Sequence, residues 1–292
     1  MSLPFDLEPL AASHDVSFGA IVRNLQLAEL DQSAFEQLHE AWLEYALLIF
    51  PAQFLSNSEQ VAFAERFGEL EFDLAPISNV RRDGSVREDD DADGVVQILK
   101  GNMGWHCDST YMPVQARGAV FTAHVVPETG GETGWADLRA AYDALDEATQ
   151  RRLEGLSACH SLYHSQKAAG FTPGPGGDYR GYGFHGQEAP LRPLVKTHPE
   201  TGRKSLLIGR HAYGIPGMSE TASSRLLEEL LDFTCQPPRV YHHHWSAGDA
   251  VLWDNRCLLH RACPWDMTQP RVMYHARIKG DPITEYAAPV PA

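Results

Sequence analysis

The segment Trp105-His106-Cys107-Asp108 carries two side chains able to do chemistry at one point. In an extended segment residues i and i+2 face the same side, so His106 and Asp108 can converge while Cys107 turns away. An imidazole and a carboxylate so placed can coordinate a divalent metal or work as an acid–base pair. Taken alone, the pair is also compatible with two solvated loop residues, so a third group decides its meaning. The chain has fourteen histidines. His242, His243 and His244 are conspicuous, but on a strand they alternate faces, and only His242 and His244 could cooperate. A structural or surface role is expected for them. His260 differs: it follows Trp253-Asp254-Asn255-Arg256-Cys257-Leu258-Leu259, read as a strand end passing into a loop, and ten residues separate it from Arg271.

Composition narrows the classes. At 292 residues the chain can bury a substantial core, and 43% hydrophobic with 22% charged residues suits a soluble globular protein. A net charge of −15 argues against nucleic-acid or anionic-membrane partners, which recruit basic surfaces, but leaves room for a small anionic substrate held by local cations. The start of the chain shows no secretory pattern, and no apolar run approaches the ~20 residues that span a bilayer. Five cysteines, with no C-x-x-C pair, indicate reduced thiols and a cytoplasmic location. No Gly-x-Gly-x-x-Gly and no P-loop supports a nucleotide cofactor.

The elements that must position these residues follow from periodicity and punctuation. Ser33 to Ala46 reads as a helix running into a strand at Leu47 to Phe50, and Ser56 with Glu59 forms a capping box for a second helix. Arg81 to Gly94 reads as a solvated polar loop, Val95 to Leu99 as a strand leading to the His106 segment, and Ala119 to Val126 as another strand. Thr129-Gly130-Gly131 marks a turn, and Asp137 caps a helix. The Gly- and Pro-rich stretch from Gln166 to Pro190 is expected as a lid-like insertion. A hairpin turns at His198 to Gly202, a helix starts at Ser219, and strands are expected at Arg239 to Trp245, Ala250 to Trp253 and Arg271 to Ile278. With no repeat and no linker, the pattern suits one α+β domain over residues 1–292, built on a β-sandwich or jelly-roll core with flanking helices.

The full spacing is more specific. His106-x-Asp108, Thr133 after twenty-four residues, His260 after 126 more and Arg271 after a further ten resemble the signature of the taurine dioxygenase/2,4-dichlorophenoxyacetate dioxygenase family. Trp105, Gly130-Gly131-Glu132-Thr133 and Trp253-Asp254-Asn255-Arg256 agree in local context. Within that family, Asn102-Met103-x-Trp105-His106-x-Asp108-Ser109-Thr110-Tyr111-Met112-Pro113 is most similar to the aryloxyalkanoate (phenoxypropionate) dioxygenases.

The resemblance implies a double-stranded β-helix fold and an iron site of His106, Asp108 and His260. Two imidazoles and one carboxylate on one face of an octahedral metal leave three positions open. The resemblance fills them with 2-oxoglutarate and O2 as cosubstrates beside Fe(II). Arg271 then receives the distal carboxylate of 2-oxoglutarate as a planar fork, with the Thr133 hydroxyl as second donor. The implied reaction gives succinate and CO2 and hydroxylates the carbon next to the ether oxygen of an aryloxyalkanoate, releasing a phenol and an oxo acid. An alternative is the same chemistry on a sulfonate or alkyl sulfate ester. A zinc hydrolase using the same three ligands would leave Thr133 and Arg271 unexplained, and a non-catalytic binding protein would tolerate their loss. Asn102 stands where the family touches substrate, whereas His275 stands where the taurine enzymes carry a sulfonate-binding arginine. Lys100, Arg210 and Arg277 are the cationic candidates for the substrate anion. The partners expected are a small anionic organic molecule and further copies of this chain, with no nucleic acid and no membrane.

Overall fold

Every residue of Leu47-Leu48-Ile49-Phe50 is buried, because this strand lies inside a sheet covered on both faces. In the computed structural model, which describes residues 3–90, 93–171 and 189–287, β1 (Asp6–Pro9) and β2 (Ala20–Arg23) pair antiparallel ahead of α1 (Gln32–Tyr45). Asp31 caps α1 by accepting the Ala34 amide, and Ala46 ends it at φ 62°, turning the chain directly into β3 (Leu47–Phe50). The capping box is present at the start of α2 (Asn57–Glu65), and β4 (Ala75–Ser78) follows.

The segment expected as a strand at Val95 to Leu99 is instead part of a helix, α3 (Gly94–Gly101). The Asp93 side chain accepts from the Val95 and Val96 amides, and the helical turn sets Val96 and Leu99 together against Trp265 and Met267. Cap chemistry and i,i+3 packing outweigh the β preference of two valines. Ile98 and Asn102, four apart, share another face of this turn.

Beyond it come β5 (Gly118–Val125), β6 (Thr133–Asp137), α4 (Leu138–Asp143) with Asp137 as its cap, α5 (Glu147–Leu153), β7 (Ser157–His160) and α6 (Leu162–Ala168). The expected lid falls mostly on residues 172–188, outside the described residues; Gln166 itself belongs to α6. Then β8 (Leu191–Pro193) leads to the hairpin of β9 (Val195–Thr197) and β10 (Lys204–Leu206), followed by β11 (Ala212–Tyr213) and α7 (Glu220–Thr234), capped by Ser219. The last strands are β12 (Val240–His243), β13 (Ala250–Asp254), β14 (Leu258–Ala262) and β15 (Val272–Ile278). The strand β14 corrects the loop expected around His260.

Seven strands form one sheet in the order β1-β2-β3-β13-β5-β15-β4, and β12-β6-β14 form a second. Pairing is antiparallel except between β2 and β3. Side chains alternate across the large sheet. Leu48, Phe50, Val120 and Leu252 meet Leu38 and Trp42 of α1 and Phe63 of α2. Leu47, Ile49, Val251 and Trp253 meet Trp135 and Leu258 of the second sheet, with the rings of Trp135 and Trp253 6.0 Å apart. The fold is therefore α+β, with two sheets packed face to face and helices on the outer side. Among the described residues no helix is long and apolar enough to cross a membrane, and all five cysteines are unpaired.

Candidate active site

Strand β14 brings His260 to the His106 segment by a two-residue antiparallel bridge. Each backbone N–H donates to the other's carbonyl, at 2.9 Å from His106 and 2.8 Å from His260. The imidazole rings lie 4.2 Å apart, and Asp108 joins them: one ligand-type atom from each residue falls within 4.8 Å of the others. Asn255 fixes the carboxylate's backbone, accepting from the Asp108 amide at 2.7 Å and donating to the carbonyls of Asp108 and Ala116 at 2.9 Å each.

The donor set fits a divalent cation. His106 Nδ1 lies 2.7 Å from the Gly104 carbonyl, which can only accept, so Nδ1 carries the hydrogen and Nε2 keeps its lone pair. Burial foremost, and the neighbouring His260, push the His106 imidazole well below its usual range; burial, with His275 and Arg277, does the same for His260. Both rings are thus neutral, the form a metal binds. Burial would raise the Asp108 carboxyl, but Arg277, His275 and His106 hold it below the usual range. Asp108 Oδ2 is buried without a hydrogen-bond partner, 3.6 Å from His260 Nε2 and 3.4 Å from His275 Nε2. An orphaned carboxylate oxygen facing neutral imidazoles is the kind of vacancy in hydrogen bonding that a metal ion satisfies.

His106, Asp108 and His260 line a cavity of about 360 Å³, a size usual for small-molecule sites. Thr133 and Arg271 line the same cavity. Thr133 Oγ1 accepts from Trp245 Nε1 at 3.0 Å, which leaves its hydroxyl hydrogen to donate. Arg271 is buried between the rings of Trp265 and Phe121, and its Nε and Nη2 donate to the Gly131 carbonyl. Burial lowers this guanidinium to about 10, so it remains a cation at neutral pH. Gly131 is required here: its φ is 71°, and a Cβ would stand 2.9 Å from Pro127 and 3.2 Å from Arg271 Nε.

The substrate candidates divide. Asn102, beside Ile98 on its face of the α3 turn, lines the cavity. Lys100 does not; it pairs with Asp89 at 2.6 Å. Arg210 also lies off the wall: its backbone amide donates to the Trp105 carbonyl and its side chain packs beside Gly104. Arg277 lines the cavity, but its Nη2 donates to Asp108 Oδ1 at 2.8 Å. Of the three consecutive histidines, His243 pairs with Asp249, His244 is exposed beside Glu132, and His242 packs with Trp105. Sequence reasoning assigned no role to His211, Tyr111, Phe72, Leu162 or Gln166 in the wall. These arrive from four separate segments, and only Tyr111, five residues after His106, shares its motif.

Residues 6–277 match the family model described as "Taurine catabolism dioxygenase TauD, TfdA family". The chain belongs to the TauD/TfdA family. It is 62% identical over 288 residues to an (S)-phenoxypropionate/alpha-ketoglutarate-dioxygenase of Sphingobium herbicidovorans, covering 98% of this chain and 99% of that protein. A 2,4-dichlorophenoxyacetate dioxygenase of Cupriavidus pinatubonensis, alpha-ketoglutarate-dependent, is 37% identical, with 91% and 96% covered. Among solved TauD/TfdA-like structures, AAD-2 in complex with Mn(II) and N-oxalylglycine superposes with a TM-score of 0.88 at 36% identity, covering 99% of this chain and all of that one.

Proposed function

We propose that the protein is an Fe(II)- and 2-oxoglutarate-dependent dioxygenase acting on aryloxyalkanoate acids. It hydroxylates the carbon next to the ether oxygen, and the product collapses to a phenol and an oxo acid while 2-oxoglutarate and O2 yield succinate and CO2. The observation that carries this reading is the shared cavity: the orphaned Asp108 Oδ2 faces His106 and His260 on a wall that Thr133 and Arg271 also line. Iron held there supplies the oxidising chemistry. The protein's own residues supply the rest. Neutral His106 and His260 with anionic Asp108 hold the metal, and Arg271 with Thr133 anchors the distal carboxylate of 2-oxoglutarate. Phe72, Ile77, Ile98 and Leu162 give the aryl ring an apolar wall, with Asn102 among them. The face-to-face sheets support a double-stranded β-helix core within one domain. The five unpaired cysteines support a cytoplasmic setting.

The test is a substrate panel with succinate and phenol measured together. Phenoxypropionates and phenoxyacetates should release phenol and succinate in equal amounts. Succinate formed with alkyl sulfates or sulfonates and not with aryloxy acids would move the assignment to the sulfate ester reading.

A further inference from the structure

We infer that Arg277 is a positioning residue that orients the Asp108 carboxylate for metal binding, rather than the cation that receives the substrate's anion. This rests on the reading that His106, Asp108 and His260 form the metal site.

The two oxygens of Asp108 have different environments. Oδ1 accepts from Arg277 Nη2 at 2.8 Å, whereas Oδ2 has no hydrogen-bond partner and faces the imidazoles. A charge-assisted bond to one oxygen sets the rotation of the carboxylate and so decides which oxygen is presented. Arg277 is held in turn. Its Nη1 donates to Ser109 Oγ at 3.2 Å, and the Ser109 hydroxyl donates to Glu71 Oε2 at 2.7 Å. Its guanidinium lies over Phe72, 4.9 Å from the ring centroid, and its backbone carbonyl accepts the Glu71 amide at 2.9 Å. Strand pairing with Ala119 fixes its place on β15.

Ser109, the residue after the carboxylate, has φ 57°, a left-handed conformation unusual outside glycine. Such strain persists where the surroundings over-determine it, and Ser109 is tied at once to Glu71 and to Arg277. The chain Glu71–Ser109–Arg277–Asp108 therefore ends on Asp108 Oδ1 and leaves Oδ2 turned toward the imidazoles. A guanidinium already neutralised by Asp108 and directed at Ser109 and Glu71 is poorly placed to attract a second carboxylate.

The experiment is titration with Mn(II), followed by electron paramagnetic resonance, of wild type, Arg277→Gln, Arg277→Lys and Glu71→Gln, with KM for 2-phenoxypropionate measured on the iron-loaded proteins. Arg277→Gln should weaken Mn(II) binding roughly 10- to 100-fold, the usual cost of losing an outer partner of a metal ligand. Arg277→Lys should recover part of that loss, and Glu71→Gln should weaken binding less, in the same direction. The inference is overturned if Arg277→Gln binds Mn(II) within about twofold of wild type, whether or not KM for the aryloxy acid rises. Should circular dichroism show Arg277→Gln unfolded, Arg277→Lys decides: weaker Mn(II) binding supports the inference and unchanged binding overturns it. Absence of Mn(II) binding by folded wild type would instead overturn the metal-site reading itself.

Discussion

His106 and His260, far apart in the chain, exchange both backbone hydrogen bonds across a single antiparallel bridge, with their rings 4.2 Å apart. The spacing of the two imidazoles is therefore set by main-chain geometry rather than by flexible side chains. Their removal as ligands can be separated from their role in the bridge, because the bridge uses only backbone groups and neither ring. The second sheet, carrying β14, and the Asn255 clamp on Asp108 complete a rigid frame around the three ligand-type atoms.

Arg271 should matter for 2-oxoglutarate far more than for the aryloxy substrate. Losing a charge-assisted pair typically costs about 1.5–3 kcal/mol, or roughly ten- to a hundredfold in affinity. Arg271→Gln is expected to raise KM for 2-oxoglutarate by that factor, and Arg271→Lys to restore only part of it, since an ammonium lacks the planar fork. Steady-state assays varying 2-oxoglutarate at saturating aryloxy acid check this; an unchanged KM would remove Arg271 from the anchoring role.

Asn255, fully buried, serves three backbone groups around Asp108 and Ala116. Replacing it with Ala strands a buried amide and two carbonyls. At about 1–3 kcal/mol for each unsatisfied group, Asn255→Ala should lose roughly 3 kcal/mol or more of stability. Urea unfolding reads the loss. A change below about 0.5 kcal/mol, typical of an unremarkable surface position, would show that the clamp is dispensable.

His160, on β7, is buried with neither ring nitrogen hydrogen-bonded among the described residues. Burial, with Arg192 nearby, lowers it to about 3. The unfolded chain takes up this proton near pH 6.5 and the folded chain only near 3, so stability is complete above 6.5 and is lost as pH falls through that interval. The loss approaches ~1.4 kcal/mol per pH unit for one group. His160→Leu should flatten the fall of melting temperature between pH 6.5 and 4. Equal slopes in the two proteins would show that another group governs that range.

Much of the site was legible because its chemistry is tied to fixed intervals. His106, Asp108, Thr133, His260 and Arg271 stand on or beside strands, bridges and turns, and all five meet at one cavity. Local punctuation was equally readable: the Ser56–Glu59 box and the Asp137 cap formed, and the helix expected from Ser219 follows it. Val95 to Leu99 was misleading because two valines suggest a strand, while the competing signal, one aspartate at position 93, is brief and shared with many loops. The wall formed by Phe72, Leu162 and His211 depends on tertiary approach, for which the sequence holds no period. Arg277 was visible as a cation near the site, but its engagement with Asp108 joins side chains 169 residues apart in the chain.

The most direct measurement is anaerobic addition of Fe(II) and 2-oxoglutarate to the folded protein, followed by visible absorption. A charge-transfer band saturating at one equivalent of each, shifted by a phenoxypropionate and lost in His260→Ala, is the result required by an iron site of His106, Asp108 and His260 with 2-oxoglutarate anchored at Arg271. A folded, metal-loaded protein that shows no such band would contradict it.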